Sequence, residues 1–220
     1  MEQSAVRDDI TTIIFDLDGT LANTLPDITT AVKYALKVVG CPIPSDDTVK
    51  ACIGGGAKNL IKKTLGEEHK QLFDEALAVF ADYYSRHVID KTRLYPDVIS
   101  VLDHYYGKKH IALATFKARQ GTMKILDHFD IRRYFDAVVT VDDVEKPKPD
   151  PECLLKLLGI FHAAPREAVY VGDTITDIKT GKNAGVITCA VTYGFGALEE
   201  VLSQNPDFTI SSLEQIKEIF

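Results

Sequence analysis

The residues Thr12 to Phe15 are β-branched or aromatic without interruption, and an acidic, glycine-containing turn follows at once. A short apolar run closed by such a turn reads as a buried strand ending in a loop. Similar runs recur at His110 to Ala114, Ala137 to Val141, Ala168 to Val171, Val186 to Val191 and Phe208 to Ile210. Between them apolar residues return at helical spacing. Val98, Val101, Leu102 and Tyr105 precede Gly107, Met123, Leu126 and Phe129 form a second set, and Leu154, Leu155 and Leu158 precede Gly159. Strands alternating with helices predict an α/β fold, a doubly wound parallel sheet covered on both faces. Ser211 and Glu214 are spaced as a capping box for a final helix.

One interval breaks the alternation. From about Pro26 to Lys91 the pattern is helical throughout, as in Ile28, Ala31, Val32, Ala35, Leu36 and Val39, and again in Leu72, Ala76, Val79, Phe80 and Tyr83. An all-helical insert that leaves after the first strand and returns at Leu94-Tyr95-Pro96 reads as a small second domain. The expected division is a core of residues 1–22 and 93–220 and a cap of residues 23–92. Ligands of such sheets bind at the carboxyl ends of the strands, so the cap would form a lid.

Composition narrows the function. The 220 residues are 45% hydrophobic and 26% charged, the balance of an ordinary globular protein. A net charge of -7 speaks against a broad nucleic-acid footprint, which needs a basic face. The amino terminus, with Glu2, Asp8 and Asp9, lacks the basic-then-apolar pattern of a signal peptide, and no apolar run is long enough to cross a bilayer. Cys41, Cys52, Cys153 and Cys189 show neither CxxC pairing nor zinc spacing and read as buried free thiols of a reducing compartment. The expectation is a cytoplasmic protein, monomer or homodimer, with no membrane or nucleic-acid partner.

The chemistry concentrates at strand ends. Asp16 and Asp18 stand at i and i+2 after the first strand, in Phe15-Asp16-Leu17-Asp18-Gly19-Thr20. Two carboxylates turned into one cleft repel unless a cation or proton lies between them. Asp173 ends the apolar run Val169 to Val171-Gly172, and Asp177 follows one helical turn later on the same side. Hard oxygen ligands in that arrangement suit Mg2+. A bland alternative also fits, since acidic residues favour a helix N-terminus. Gly54-Gly55-Gly56-Ala57-Lys58-Asn59 opens a helix within the insert and offers backbone amides and a cation to an anion. The six histidines show no metal-binding spacing.

Asp16-Leu17-Asp18-Gly19-Thr20 resembles the first signature of the haloacid dehalogenase superfamily, and the resemblance extends over nearly the whole chain, with the insert where that family carries its cap. It implies that Asp16 is the nucleophile and Asp18 the general acid and base, a pairing that favours phosphoryl transfer over carbon–halogen cleavage. By the same resemblance Thr115 donates to the phosphoryl group, Lys146, with Lys148 as the second candidate, is the lysine of the Lys-Pro-x-Pro segment that enters the site, and Asp173 and Asp177 join Asp16 and Asp18 at Mg2+. Thr115-Phe116-Lys117 stands where members resembling phosphoglycolate phosphatase have Thr-Asn-Lys. Thr115 and Lys117, with Gly55, Gly56 and Lys58 of the cap, are expected to contact the substrate, a small phosphorylated metabolite. Rival readings are an inorganic pyrophosphatase, a β-phosphoglucomutase-like isomerase and a phosphonate hydrolase using Lys50, Lys58, Lys62 or Lys63. A catalytically silent binding protein is the rival from outside the enzymes.

Overall fold

The computed structural model describes residue 7 and residues 9–220. Glu2 and Asp8, on which the reading of the amino terminus partly rests, lie outside the described residues. The chain opens with β1 (Thr12–Phe15) and the two-residue β2 (Ala22–Asn23), then runs through α1 (Leu25–Val38), α2 (Asp46–Ala51), α3 (Gly56–Leu65) and α4 (Phe73–His87). It returns through β3 (Arg93–Leu94), α5 (Val98–Tyr105), β4 (His110–Ala114), α6 (Arg119–His128), β5 (Ala137–Val139) and α7 (Glu152–Phe161). It closes with β6 (Ala168–Gly172), α8 (Ile175–Ala184), β7 (Ile187–Val191), α9 (Leu198–Leu202), β8 (Phe208–Ile210) and α10 (Ile216–Ile219).

Six strands form one parallel sheet in the order β5-β4-β1-β6-β7-β8. Numbered along the chain, these strands stand as 3-2-1-4-5-6, so the winding direction reverses between β1 and β6. Their register pairs Phe15 with Val171, which brings the residues that follow both strands side by side at the carboxyl edge, where open α/β sheets bind ligands. β1 is buried along its whole length, and its alternate residues serve opposite faces. Ile13 and Phe15 pack with Ile111, Leu113, Val169 and Val171 on one side, and Ile14 packs with Ala112, Ala114 and Tyr170 on the other. α7 covers the second side through Leu154, Leu157 and Leu158.

The helical cap has an apolar core of its own, built from Ile28, Ala31, Val32, Leu36, Val49, Ile61, Ala76 and Phe80 among others. Its two connections to the sheet pair as an antiparallel ribbon, Ala22 with Leu94 and Asn23 with Arg93. Asp27 fastens the same junction: its buried carboxylate accepts from the backbone N–H of Lys91 (3.0 Å) and from the N–H and hydroxyl of Thr92 (both 2.8 Å).

Two expectations are corrected in detail. The strand expected to reach Val141 ends at Val139, because Thr140 and Asp143 form a capping box that turns the chain. The final box is Ser212 with Gln215, one residue beyond Ser211 and Glu214, and it opens a 3-10 turn. That register buries Leu213 and Ile216. All four cysteines are free, with Cys41, Cys153 and Cys189 buried. Among the described residues no helix is long and apolar enough to cross a membrane.

Candidate active site

Asp16 follows β1 directly and extends its ladder, its N–H donating to the Val171 carbonyl at 2.9 Å. Asp173 follows β6, and Asp177 lies in the first turn of α8. The reversal of the sheet therefore gathers three buried carboxylates, each offering one oxygen within 4.8 Å of the others. Burial and mutual repulsion make their charge costly. Burial, opposed by Lys148 and reinforced by Asp177 and Asp18, pushes Asp16 up to about 7. Burial, with Asp177 and Asp16, raises Asp173 well above the usual carboxylate range. Burial works against the charge of Asp177 too, but Lys148 and the Thr174 hydroxyl outweigh it and hold that carboxyl below its ordinary value.

Asp177 both caps α8 and faces the cleft. Its Oδ2 accepts from the Thr174 hydroxyl (2.6 Å) and N–H (3.1 Å) in a capping box that starts α8. Its Oδ1 accepts from Lys148 Nζ (3.0 Å) and the Tyr170 hydroxyl (2.9 Å). The alternative of a mere helix-terminal acid is thus only half of its environment.

The lysine of the site is Lys148, which corrects the expectation of Lys146. Both begin a Lys-Pro-x-Pro segment, since Lys146-Pro147-Lys148-Pro149 overlaps Lys148-Pro149-Asp150-Pro151. The carboxylate of Glu152, at the start of α7, accepts from the N–H groups of Glu145 (3.1 Å) and Lys146 (2.8 Å), and the Lys146 side chain stays exposed. Two residues later the Lys148 side chain, 4% exposed, lies between Asp16 Oδ1 and Asp177 Oδ1, at 3.0 Å from each. It also donates to the Ala114 carbonyl at 2.8 Å and contacts the Tyr170 hydroxyl. Burial would lower its pKa, but Asp16 and Asp177 outweigh that and raise it, so it is a fixed ammonium.

Asp18 stands apart from the other carboxylates. Its carboxylate is held by Lys117 Nζ at 3.0 Å, and Lys117 reaches the hydroxyl of Tyr84, on α4 of the cap, at 2.5 Å. The four-carboxylate group expected from the sequence is, in side chains, a group of three, because the Lys117 ammonium draws Asp18 toward the cap. Thr115 follows β4, is buried, and lines the same cleft as Asp16, Asp18, Lys117 and Lys148. Of the glycine loop, Gly56 lines the cleft, while Gly55 does not and Lys58 is exposed away from its lining. Lys58 is the third residue of α3, and it is exposed while its neighbours Gly56, Ala57 and Leu60 line the cleft.

Sequence reasoning passed over a ring of glycines around Asp173. A Cβ on Gly19 or Gly194 would stand 2.2 Å from Asp173 side-chain atoms, and one on Gly196 would stand 2.2 Å from its carbonyl oxygen. The space allows Phe195 N–H to donate to Asp173 Oδ2 at 2.7 Å, and the Thr20 hydroxyl to donate to Oδ1 at 3.3 Å. The signals in the sequence were Gly19, in the turn after β1, and the run Gly194-Phe195-Gly196, neither of them adjacent to Asp173 in the chain. A buried trio of carboxylates, two of them with raised pKa, fits a hard divalent cation with oxygen ligands.

Comparison with known proteins agrees with this geometry. Residues 13–191 match the haloacid dehalogenase-like hydrolase family. A phosphoglycolate phosphatase of Aquifex aeolicus is 36% identical over 200 residues, covering 90% of this chain and 91% of its own length. One from Thiobacillus denitrificans is 32% identical over 212 residues, covering 94% and 93%. A crystal structure of a predicted phosphoglycolate phosphatase from Haemophilus somnus superimposes with a TM-score of 0.91 at 29% identity, over 96% of this chain and 98% of that one.

Proposed function

Because the chain belongs to the haloacid dehalogenase-like hydrolase family, we propose that it hydrolyses small phosphomonoesters through a phosphoryl group carried transiently on Asp16, with Mg2+ as its cation. The observation that carries this reading is the Asp16 carboxylate, fixed beside Lys148 at the floor of a cleft and two residues from Asp18. Asp16, Asp173 and Asp177 would hold the cation. Asp177 is the least free of them, since each of its oxygens already accepts two hydrogen bonds. When bound, the cation supplies positive charge that offsets repulsion between the carboxylates and a phosphoryl dianion.

In the first step an Asp16 oxygen attacks phosphorus and the bond from phosphorus to the substrate's alcohol oxygen breaks, while Asp18 gives its proton to that oxygen. In the second step Asp18 takes a proton from water as the water oxygen attacks phosphorus. The acyl–phosphate bond breaks, and inorganic phosphate and the Asp16 carboxylate are released. Lys148 keeps Asp16 oriented and offsets charge throughout, and the Thr115 hydroxyl is available to a phosphoryl oxygen. The test is release of inorganic phosphate from a panel of monoesters, 2-phosphoglycolate among them because the relatives carry its name. Turnover is expected with Mg2+, to stop on chelation, and to be inhibited by Ca2+, whose looser coordination misplaces the nucleophile. Undiminished turnover after exhaustive chelation, or in Asp16→Asn, overturns the reading.

A further inference from the structure

The cleft between sheet and cap has a volume of about 230 Å³, and its two ends differ in chemistry. Every charged residue of its lining, Asp16, Asp18, Lys117, Lys148 and Asp177, comes from the core, and of these Lys117 reaches the cap, its ammonium 4.5 Å from the centroid of the Tyr84 ring. Both lysines are already committed, Lys148 between Asp16 and Asp177 and Lys117 between Asp18 and the Tyr84 hydroxyl. The cap's share of the lining contains no Lys, Arg or His. Its wall is Ile28, Ile53, Leu60 and Phe80, with the Phe80 and Tyr84 rings stacked at 5.3 Å between centroids. Phe116 of the core extends this hydrocarbon surface, lying close enough to Gly56 that a Cβ there would meet its ring at 2.9 Å.

The cap offers a carboxylate on the leaving group no cation of its own, and the one beside its wall, Lys117, is held by Asp18 and the Tyr84 hydroxyl, whereas a hydrocarbon body would gain by leaving water. Taking the phosphatase reading above as its basis, we propose that this enzyme's substrates are phosphate monoesters of uncharged alcohols with an apolar or aromatic body, in preference to 2-phosphoglycolate. Phe116 and the cap wall of Ile53, Leu60 and Phe80 read the leaving group.

The test compares kcat/KM, with Mg2+, for benzyl phosphate, ethyl phosphate and 2-phosphoglycolate. All three carry phosphate on a primary CH2–O, so the bond broken is of one kind and the remainder of the alcohol is what differs. Benzyl phosphate should exceed 2-phosphoglycolate by at least about tenfold, the scale at which small differences in apolar contact discriminate substrates. Ala57→Lys adds a cation at an exposed position of the cleft lining and should raise 2-phosphoglycolate relative to benzyl phosphate by a similar factor. Ile53→Lys, checked for folding by circular dichroism, repeats the test from the opposite side of the glycine loop. A wild-type preference for 2-phosphoglycolate overturns this inference and leaves the phosphatase reading standing. An unchanged ratio in both variants overturns the placement of the leaving group against this wall. Failure of all monoesters, p-nitrophenyl phosphate included, overturns both readings.

Discussion

Lys148 is the residue on which the charge balance of the cleft turns. Its single positive charge is shared by two buried carboxylates, so removing it leaves Asp16 and Asp177 facing each other without a cation between them. Losing one member of a buried ion pair costs about 3–5 kcal/mol. Lys148→Ala is therefore expected to lower the denaturation midpoint strongly in metal-free protein and to reduce kcat by at least about 100-fold. Lys146→Ala removes an exposed side chain and should change stability by less than about 0.5 kcal/mol, with kcat retained. Urea melts and steady-state rates on the two variants check both halves, and equal losses would return the site to Lys146. Asp16→Asn is expected to abolish turnover while keeping the native circular dichroism spectrum, because an amide is too poor a nucleophile.

At the level of elements, the site is assembled from the residues just beyond the carboxyl end of each strand. β1 and β6 deliver Asp16 and Asp173, β4 delivers Thr115, and α8 turns Asp177 back over the same edge. Thr174 starts that helix, and Thr174→Ala is expected to cost about 0.5–2 kcal/mol as a lost N-cap and to loosen Asp177. Thr174→Ser, which keeps the hydroxyl, should recover most of it. The loop after β7 acts on the site through what it lacks. Gly194→Ala places a Cβ 2.2 Å from the Asp173 Cβ, which has no freedom to rotate away, so the Asp173 backbone or the loop must move. The Mg2+ concentration for half-maximal activity should rise by at least about tenfold, the scale of disturbances to groups that orient a metal ligand. Half-activation unchanged from wild type would show that the loop yields without moving Asp173.

For the whole molecule, the raised carboxylates couple stability to pH and to the cation. Asp16 in the fold binds its proton more tightly than an unfolded chain would, with a value of about 7 against the ordinary 3.8, and Asp173 is shifted in the same direction. Their contribution is present below the unfolded value and is lost as pH rises through the folded one, a loss that runs from roughly pH 4 to 7 for Asp16. The depressed Asp177 acts in the opposite sense, but below that window. A bound cation displaces those protons and offsets the repulsion. The rise in Tm when Mg2+ is added to stripped protein should accordingly be larger near about pH 8 than near about pH 5.5. Calorimetry at the two pH values checks it, and a shift that does not grow with pH would place the cation away from Asp16 and Asp173.

The elements, and most of the residues at their ends, can be read along the chain. Runs such as Thr12 to Phe15 and Ala168 to Val171 are apolar throughout because both faces of a central parallel strand are buried, and that signal is local. Asp16, Asp173 and Asp177 were legible for the same reason, each standing where an apolar run stops or one turn beyond. Matters that depend on contacts between distant segments are fixed only in the folded chain. Lys146 and Lys148 begin the same short pattern, and only the hold of Glu152 on residues 145–146 and the charges of Asp16 and Asp177 select Lys148. Lys58 and Gly56 are two residues apart on one helix, yet only Gly56 reaches the cleft. Gly19, Gly194 and Gly196 matter through Asp173, which none of them neighbours in sequence. Apolar periodicity reports whether a side chain leaves water. Which partner it then meets is set by long-range packing and charge pairing, and these exist only once the chain has folded.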